Sequence, residues 1–304
     1  MRDILFVGND YDMTTKEHEC VIQGGGSRLI MNDIVLELQD LRHLDWAERK
    51  LSPGTPGCFL KAYEEKDGKR YYYKLSNYDS YRGVFGHESI NELIVSRLLS
   101  ALDIPHVQYQ LIHALIQVDD SEIDTWISCS ENFRKDNEEK MPLDMYYDLE
   151  KEGKESPLEF VIRQGWEEYI YKMILVDYLV ANRDRHGSNI EILRNISDNS
   201  VRMAPLFDQG VSLLFSTYGD EIQVEKFDVL QDIQANNYIG SKSLEYNLSL
   251  IPTSHNIRIN KLTESDKEII FKDIEKALSV KHIEKIWEMI WKRWQYYETL
   301  CNKK

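Results

Sequence analysis

Hydrophobic residues in the first part of the chain follow a mostly strand-like pattern, interrupted by one amphipathic helix. That helix is His87–Leu102, in which apolar residues recur at helical spacing and which Asp103 and Pro105 bring to an end. Helical spacing also predicts a short helix over Ile34–Leu41, with Asn32 as its N-cap. Short β-prone runs predict strands over Asp3–Asn9, Glu19–Gln23, Leu29–Met31, Arg70–Leu75, Val107–Val118 and Thr125–Cys129.

The second part of the chain is mainly helical. The pattern predicts helices over Pro157–Ile162, Trp166–Val180, Glu264–Leu278 and Ile283–Cys301. A hairpin of Ile190–Leu193 with Val201–Leu206 interrupts them, and the charged stretch Glu131–Glu139 separates the two parts. We therefore expect an α+β fold with two lobes. The N-lobe, residues 1–132, holds the sheet and one main helix, and the C-lobe, residues 133–304, is mostly helical.

Two polar motifs follow the apolar helix of the C-lobe. The first is NRDRHGSN at 182–189, and the second is FDQG at 207–210, beyond the predicted hairpin. A carboxylate that receives a hydroxyl proton, an amide five residues later and a second, more distant carboxylate form the phosphoryl-transfer apparatus of kinases. Asp184 is therefore predicted to be the catalytic base, with Asn189 and Asp208 as magnesium ligands. The alternative for each motif alone is a polar surface turn.

A glycine-rich loop and a lysine-bearing strand are the candidates for nucleotide binding. Backbone N–H groups in such a loop can approach phosphate oxygens because no side chain blocks them. The strand after the loop carries Lys74, which we predict bridges the α- and β-phosphates of ATP, with Lys61 as its competitor. An ordinary hairpin turn and a solvated strand lysine are the alternatives. The loop residues are Ser52, Gly54, Thr55 and Gly57.

Acidic residues of the amphipathic helix supply a partner for Lys74. Glu88 and Glu92 lie one turn apart on the same face. We choose Glu92, because it is deeper in the helix, and keep Glu88 as the alternate; a pair of solvated glutamates is the other interpretation. Asp177, within the apolar helix of the C-lobe, is expected to be buried and to accept hydrogen bonds from nearby loop N–H groups.

Composition and charge narrow the functional classes. The chain has 37 basic and 52 acidic residues, a formal charge of −15, which argues against nucleic-acid or anionic-membrane binding through a basic surface. No apolar run approaches the length of a membrane span, and the N-terminus is not a secretory signal. We expect a cytoplasmic protein, although delivery by a leaderless secretion route would leave the same features. The scattered cysteines, expected to be reduced thiols, are Cys20, Cys58, Cys129 and Cys301.

Together these residues resemble the HipA-like serine/threonine protein kinase family, and more loosely the phosphatidylinositol 3- and 4-kinases, which share a DRHxxN loop. The resemblance implies a two-lobed kinase fold, ATP and Mg²⁺ as cofactors, and transfer to Ser or Thr of a protein substrate. It also implies autophosphorylation in the phosphate loop, at Ser52 or Thr55. The matching positions are 52–61, Lys74, Asn91, Glu92, 182–189, Phe207 and Asp208, and among them Asp184, Lys74, Glu92 and His186 are the catalytic candidates.

Several alternatives stay open beside the resemblance. About fifty residues precede the phosphate loop, fewer than in HipA-type toxins, so we expect a compact stand-alone kinase and leave open an antitoxin-like partner. His186 is either close to the chemistry or a structural support of its loop. The segment around Ser216 and Thr217 is either an activation segment with a phosphoacceptor or a plain loop. The alternative functions are a lipid or small-molecule kinase of the same fold and a nucleotide-binding module without turnover.

Overall fold

The computed structural model describes residues 33–48 and 59–302. The strands predicted before residue 32 therefore lie outside the described residues. So does the phosphate-loop stretch with Ser52, Gly54, Thr55 and Gly57.

A mixed sheet forms the first half of the described chain. Its strands are β1 (Ile34–Asp40), β2 (Ala47–Glu48), β3 (Leu60–Lys66), β4 (Lys69–Leu75), β7 (Gln110–Val118) and β8 (Ser121–Glu131), and β5 (Tyr78–Asp79) and β6 (Gly83–Val84) form a small separate hairpin. The order in the sheet is β1-β7-β8-β4-β3-β2. Neighbouring strands are antiparallel except β1 and β7, which run parallel. The sheet buries its own apolar cluster, which includes Leu75, Ile116 and Ile127.

The helix predicted over Ile34–Leu41 is wrong, because these residues form β1. Apolar residues at 34, 36 and 38 also fit the two-residue period of a strand, so the pattern alone does not decide between the two structures. Pairing with β7 decides it, and β1 becomes an edge strand of the sheet. Leu36 and Leu38 stay exposed on it, whereas a core helix would have buried them.

Helix α1 (Glu88–Ala101) lies between this sheet and the helical half of the chain. It is buried along almost its whole length, including Glu88, Asn91 and Glu92. Leu93, Ile94 and Leu98 belong to the large apolar cluster that the C-terminal helices build. Because charged side chains are seldom fully buried without partners, the burial of Glu88 and Glu92 marks this helix as part of a site.

The chain passes from the sheet to the helical half through residues 132–137. Strand β9 (Glu138–Pro142) then pairs with β11 (Glu191–Asn195), which also pairs with β12 (Val201–Met203). The short strands β10 (Asp184–Arg185) and β13 (Asn236–Asn237) form a parallel pair. The helices are α2 (Leu143–Glu150), α3 (Pro157–Arg163), α4 (Glu167–Val180), α5 (Glu221–Lys226), α6 (Leu244–Leu248), α7 (Asp266–Ile270) and α8 (Val280–Asn302). The predicted α+β class is therefore confirmed.

The single helix predicted over Glu264–Leu278 is interrupted. Only α7 and a 3₁₀ turn, Ile274–Lys276, are helical there, and Asp273 between them has a left-handed φ of 61°. The cause lies in α1, where Arg97 donates to the carbonyls of Ile270 (3.1 Å) and Lys272 (2.7 Å). Those carbonyls are thus satisfied outside the helix. Among the described residues, no helix is both long enough and apolar enough to cross a membrane.

Candidate active site

Lys74 lies between two carboxylates in a cleft beside α1. Its Nζ donates to Glu92 Oε1 and to Asp208 Oδ1, both at 2.8 Å. Phe59, Ser128 and Gly210 also line this cleft. Burial disfavours the charge on Lys74, but Asp208 and Glu92 outweigh burial and raise the lysine pKa well above its usual range. Lys74 therefore stays protonated and can present a positive charge to phosphate.

The two carboxylates that hold Lys74 have opposite pKa shifts. Burial raises the pKa of Glu92 despite the nearby lysine. Burial acts in the same direction on Asp208, but the charges of Lys74, Lys61 and Arg185 prevail and hold its pKa well below the usual range. Asp208 is therefore ionised at any physiological pH, and its carboxylate is suited to the predicted role of metal ligand.

Glu88, the alternate partner for Lys74, has a different contact. Its carboxylate accepts hydrogen bonds from the backbone N–H of Asn77 (3.1 Å) and from the Asn77 side-chain amide. The competing lysine, Lys61, lies directly opposite Lys74 on β3. Because cross-strand neighbours point to the same face of a sheet, Lys61 is on the cleft side, where it contributes to the low pKa of Asp208.

Helix α1 also holds the segment that follows Asp208. Glu92 Oε2 accepts the backbone N–H of Gln209 at 2.9 Å. Asn91 Nδ2 donates to the carbonyls of Gly210 (2.9 Å) and Ser212 (3.0 Å). Asp208 itself has a left-handed φ of 59°, which is uncommon for a residue with a side chain and persists where surrounding contacts impose it.

The catalytic-loop motif begins where α4 ends. Ala181 adopts the left-handed conformation that closes α4. Asn182 Oδ1 then accepts the backbone N–H of Asp184 at 3.1 Å, and β10 pairs with β13. The Asp184 carboxylate is half-buried, with Asn236 Nδ2 at 3.5 Å as a neighbour. Asp184 is therefore held by its backbone, while its carboxylate stays available as the proton acceptor that the sequence predicts.

A fully buried ion pair lies beneath the loop. Arg185 Nε and Nη2 donate to the Asp177 carboxylate at 2.9–3.2 Å, and the exposed fractions of the two side chains are 0% and 1%. Arg185 Nη1 donates to the carbonyls of Asn189 (3.0 Å) and Phe207 (3.1 Å). The expectation that Asp177 is buried and accepts hydrogen bonds from nearby loop N–H groups is therefore confirmed, and the donors are the side chains of Asn182 and Arg185.

The two predicted metal ligands are brought together through Arg185, because one guanidinium nitrogen binds the carbonyls of Asn189 and of Phe207, the neighbour of Asp208. Asn189 Nδ2 donates to the Asp184 carbonyl at 2.8 Å, which leaves its amide oxygen as an acceptor. Asp208 accepts the hydrogen bond from Lys74 with Oδ1. An amide oxygen and a carboxylate oxygen suit Mg²⁺, which binds proteins through one or two carboxylates plus substrate phosphates. The described residues contain no cluster of three or more His, Cys, Asp or Glu side chains that could hold a metal alone.

His186 and Gly187 complete the loop. His186 Nε2 is 3.7 Å from Asp184 Oδ2, beyond hydrogen-bond distance, so both of its predicted roles remain open. Gly187 packs against α2, where a Cβ atom would come within 2.6 Å of the Asp144 side chain. Only glycine fits this close approach without a shift of α2 or the loop.

Sequence reasoning missed the supports of the site. Arg185 is inside the recognised motif, but its partners include backbone carbonyls, which no residue type marks. The sequence assigned no role to Asn182, although it is fully buried and its Nδ2 donates to both Asp177 and Gln209. Asn236 comes from a stretch with an irregular pattern. One signal for the ion pair was available in the sequence: an aspartate in the apolar helix lies eight residues before an arginine of the loop.

Comparisons with known proteins bear on the fold. No protein-family model and no curated protein matches the sequence. Similar solved structures include the proinflammatory kinase CtkA of Helicobacter pylori, with a TM-score of 0.61 and 16% identity over 88% of this chain and 97% of that chain. HipA of Shewanella oneidensis MR-1, solved with HipB and operator DNA, has a TM-score of 0.38 and 12% identity over 84% of this chain and 62% of that chain. The second score is too low to carry an argument, and an identity of 16% establishes fold alone. The chain therefore shares the fold of the kinase CtkA over most of its length, which agrees with the kinase-like fold that its motifs led us to expect.

Proposed function

We propose that the chain is an ATP- and Mg²⁺-dependent serine/threonine protein kinase of the HipA-like type. The observation that carries the proposal is the position of Lys74, held at 2.8 Å from both Glu92 and Asp208. Arg185 connects the segment of Asp208 to the loop of Asp184 and Asn189. The fold, shared with a solved kinase, supports a kinase-type function.

Each side chain has a role in the proposed reaction. Asp184 accepts the proton of the substrate hydroxyl as the hydroxyl oxygen attacks the γ-phosphorus of ATP. Lys74 contacts the α- and β-phosphates, and Glu92 fixes its direction. Asn189 and Asp208 would hold Mg²⁺, which when bound offsets phosphate charge. Catalysis of this kind depends mostly on positioning and on charges fixed in advance, which fits a site in which backbone and side chains hold one another.

Autophosphorylation and the protein substrate belong to the same proposal. Ser52 and Thr55 are the acceptors that the family resemblance suggests, in a loop rich in glycine. The acidic net charge of −15 speaks against an anionic lipid surface as substrate. A protein hydroxyl is therefore the acceptor that we test first.

Phosphate transfer from labelled ATP tests the proposal. Purified protein is incubated with Mg²⁺-ATP, with and without excess EDTA, and phosphorylated residues are mapped by mass spectrometry. Asp184→Asn should lower the rate about 10²–10⁴-fold, the range of a lost general base, while nucleotide binding persists. Lys74→Met should weaken both binding and transfer.

The matched control is Asp198→Asn, on the exposed hairpin turn before β12, which should behave like wild type. Wild-type rates in Asp184→Asn would remove that residue from its role. Transfer to a lipid or a small molecule with none to protein would replace the proposed substrate class. ATP binding without transfer to any acceptor would indicate a regulatory module instead.

A further inference from the structure

Asn236, on the short strand β13, presents its side-chain amide to the proposed base, Asp184. Asparagine is uncommon in β-strands, yet both residues of β13 are asparagines. The fold accounts for Asn237, whose Oδ1 accepts the backbone N–H groups of Ile239 (3.0 Å) and Gly240 (2.9 Å) and so shapes the turn after β13. The Asn236 side chain is exposed, and among the described residues its one hydrogen bond is with Asp184. This contact is therefore what the side chain at 236 offers to the site.

The backbone of β13 places Asn236 directly beside Asp184. The two residues are in register in the parallel pair of β10 and β13. The N–H of Asn236 donates to the carbonyl of Arg183 at 2.7 Å. The N–H of Tyr238 donates to the carbonyl of Arg185 at 2.9 Å. These bonds lie on either side of Asp184, so the backbones of Asp184 and Asn236 cannot move apart without breaking one of them.

Three asparagines contact Asp184, and among them only Asn236 contacts its carboxylate. Asn182 Oδ1 accepts the backbone N–H of Asp184 at 3.1 Å, and Asn189 Nδ2 donates to its carbonyl at 2.8 Å. A carboxylate on a fixed backbone can still rotate about its side-chain bonds. Contacts to the backbone therefore leave its direction open, whereas a contact to a carboxylate oxygen restricts it.

The two oxygens of the Asp184 carboxylate have different neighbours. Asn236 Nδ2 lies 3.5 Å from Oδ1, at the outer limit of a hydrogen bond. His186 Nε2 lies 3.7 Å from Oδ2, which is too far for one. Hydrogen bonds of catalytic groups are often long without substrate and shorten in the complex with it. The amide of Asn236 is thus placed to hold Oδ1, which leaves Oδ2 to accept a proton.

We propose that Asn236 is a positioning residue of the transfer reaction, which holds Oδ1 of Asp184 and so directs Oδ2 to the substrate hydroxyl. The proposal rests on the proposed kinase function. As the hydroxyl oxygen bonds to the γ-phosphorus of ATP, the bond from that phosphorus to the β–γ bridging oxygen breaks. ADP leaves with the bridging oxygen, and Oδ2 takes up the hydroxyl proton. A misdirected carboxylate should therefore slow the transfer and leave ATP binding intact.

The kinetics of transfer to casein test this role. Asn236→Ala should lower kcat about tenfold, the lower end of what a hydrogen bond to a charged group contributes, while KM for ATP stays within about twofold. Asn236→Asp keeps the shape of the side chain but loses the donor and adds a like charge, so it should be slower still. Asn236→Gln keeps the amide and should regain part of the rate. The matched control is Gln234→Glu, which makes the same exchange of amide for carboxylate at an exposed neighbour and should behave like wild type.

A double-mutant cycle shows whether Asn236 acts through Asp184. In Asp184→Asn the carboxylate that Asn236 holds is absent, so the addition of Asn236→Ala should change the residual rate by less than about twofold. Circular dichroism confirms that each variant folds. A loss of equal size in both backgrounds, or an Asn236→Asp variant as fast as wild type, overturns the proposal.

The contact itself is tested without relying on phosphate transfer. Side-chain amides of the ¹⁵N-labelled chain are followed by NMR, and the signal of Asn236 is the one lost in Asn236→Ala. Asp184→Ala should shift this signal, whereas Asp198→Asn, at an exposed turn, should not. A signal that Asp184→Ala leaves unmoved overturns the positioning proposal even if casein is phosphorylated. A shifted signal in a chain that transfers no phosphate supports the contact and overturns the kinase function instead.

Discussion

The buried ion pair of Asp177 and Arg185 gives the sharpest prediction, because a change in it should affect both the stability of the protein and its activity. Asp177→Asn keeps the shape of the side chain and removes its charge. Arg185 then remains a buried cation that keeps only the Asn189 and Phe207 carbonyls as full acceptors. We expect a marked loss of stability together with a loss of phosphate transfer, although neither residue touches substrate in the proposed mechanism.

The magnitude follows from the burial of the two side chains. Breaking a buried ion pair by removing one partner costs about 3–5 kcal/mol, because the other charge is left uncompensated. With exposed fractions of 0% and 1%, little water can reach Arg185 to replace Asp177. At about 2–4 °C per kcal/mol for a large domain, the midpoint of thermal unfolding should fall by roughly 6–20 °C.

Urea unfolding followed by tryptophan fluorescence measures the stability, and labelled-ATP transfer measures the activity of the same samples. A double variant, Asp177→Leu with Arg185→Met, is the informative comparison. Replacing both partners of a buried ion pair by apolar residues often leaves the free energy of unfolding unchanged, so the double variant should regain most of the lost stability. It should nevertheless stay inactive, since no cation then joins the loops of Asn189 and Asp208. A midpoint for Asp177→Asn within 1 °C of wild type, or a fully active double variant, would refute the reasoning.

The glutamates, the catalytic loop and a buried histidine each give a further prediction. Glu92→Gln should lower kcat/KM roughly 10–100-fold through the lost charged hydrogen bond to Lys74, whereas Glu88→Gln should mainly affect stability; equal losses of activity would contradict the assignment. Gly187→Ala should slow transfer about tenfold, and Asp144→Ala in the same chain should restore part of the rate in a kinetic assay, because it removes the 2.6 Å contacts of Cγ and Oδ2 and leaves only that of Cβ. Burial and, to a smaller extent, the neighbouring His282 lower the pKa of His87 from 6.5 to about 3. As the pH falls from 6.5 towards 3, the unfolded chain therefore binds a proton at this side chain and the folded chain does not. Between pH 6.5 and 4.5, the free energy of unfolding measured in urea should therefore fall by about 2–3 kcal/mol more in wild type than in His87→Phe. Parallel curves for the two proteins would exclude His87 as the source of this pH dependence.

The local pattern of apolar residues was sufficient to predict those elements whose structure depends on their own segment alone. The helices α1, α4 and α8 carry long apolar stripes, and the sequence predicted all three to within a few residues. The choice of Glu92 over Glu88 as the partner of Lys74 agrees with the contacts, because a carboxylate deeper in a buried helix faces the neighbouring strand. Its role in catalysis stays a prediction, as do the roles of Asp184, Asn189 and His186.

The failures have a common physical origin in contacts between distant segments. Ile34–Asp40 fits both a helix and a strand until β7 offers a partner. The end of α7 depends on Arg97, which lies 173 residues away from Ile270 in the chain. Arg185 reaches a carbonyl 22 residues away at Phe207, and a carbonyl has no signature in the sequence. Sequence reasoning located the chemical groups but not the contacts that fix their positions.

Those contacts couple the position of α1 to the position of Asp208, so that neither can move without the other. The two oxygens of Glu92 are divided between Lys74 and the backbone N–H of Gln209, so one carboxylate joins β4, α1 and the segment after Asp208. The adjacent Asn91 holds the carbonyl of Gly210 two residues beyond Asp208. A displacement of α1 would therefore break the support of the lysine and the support of Asp208, the proposed metal ligand, together. Because tightly packed and hydrogen-bonded groups adopt discrete arrangements rather than intermediate ones, the site should be either assembled or disassembled as a whole.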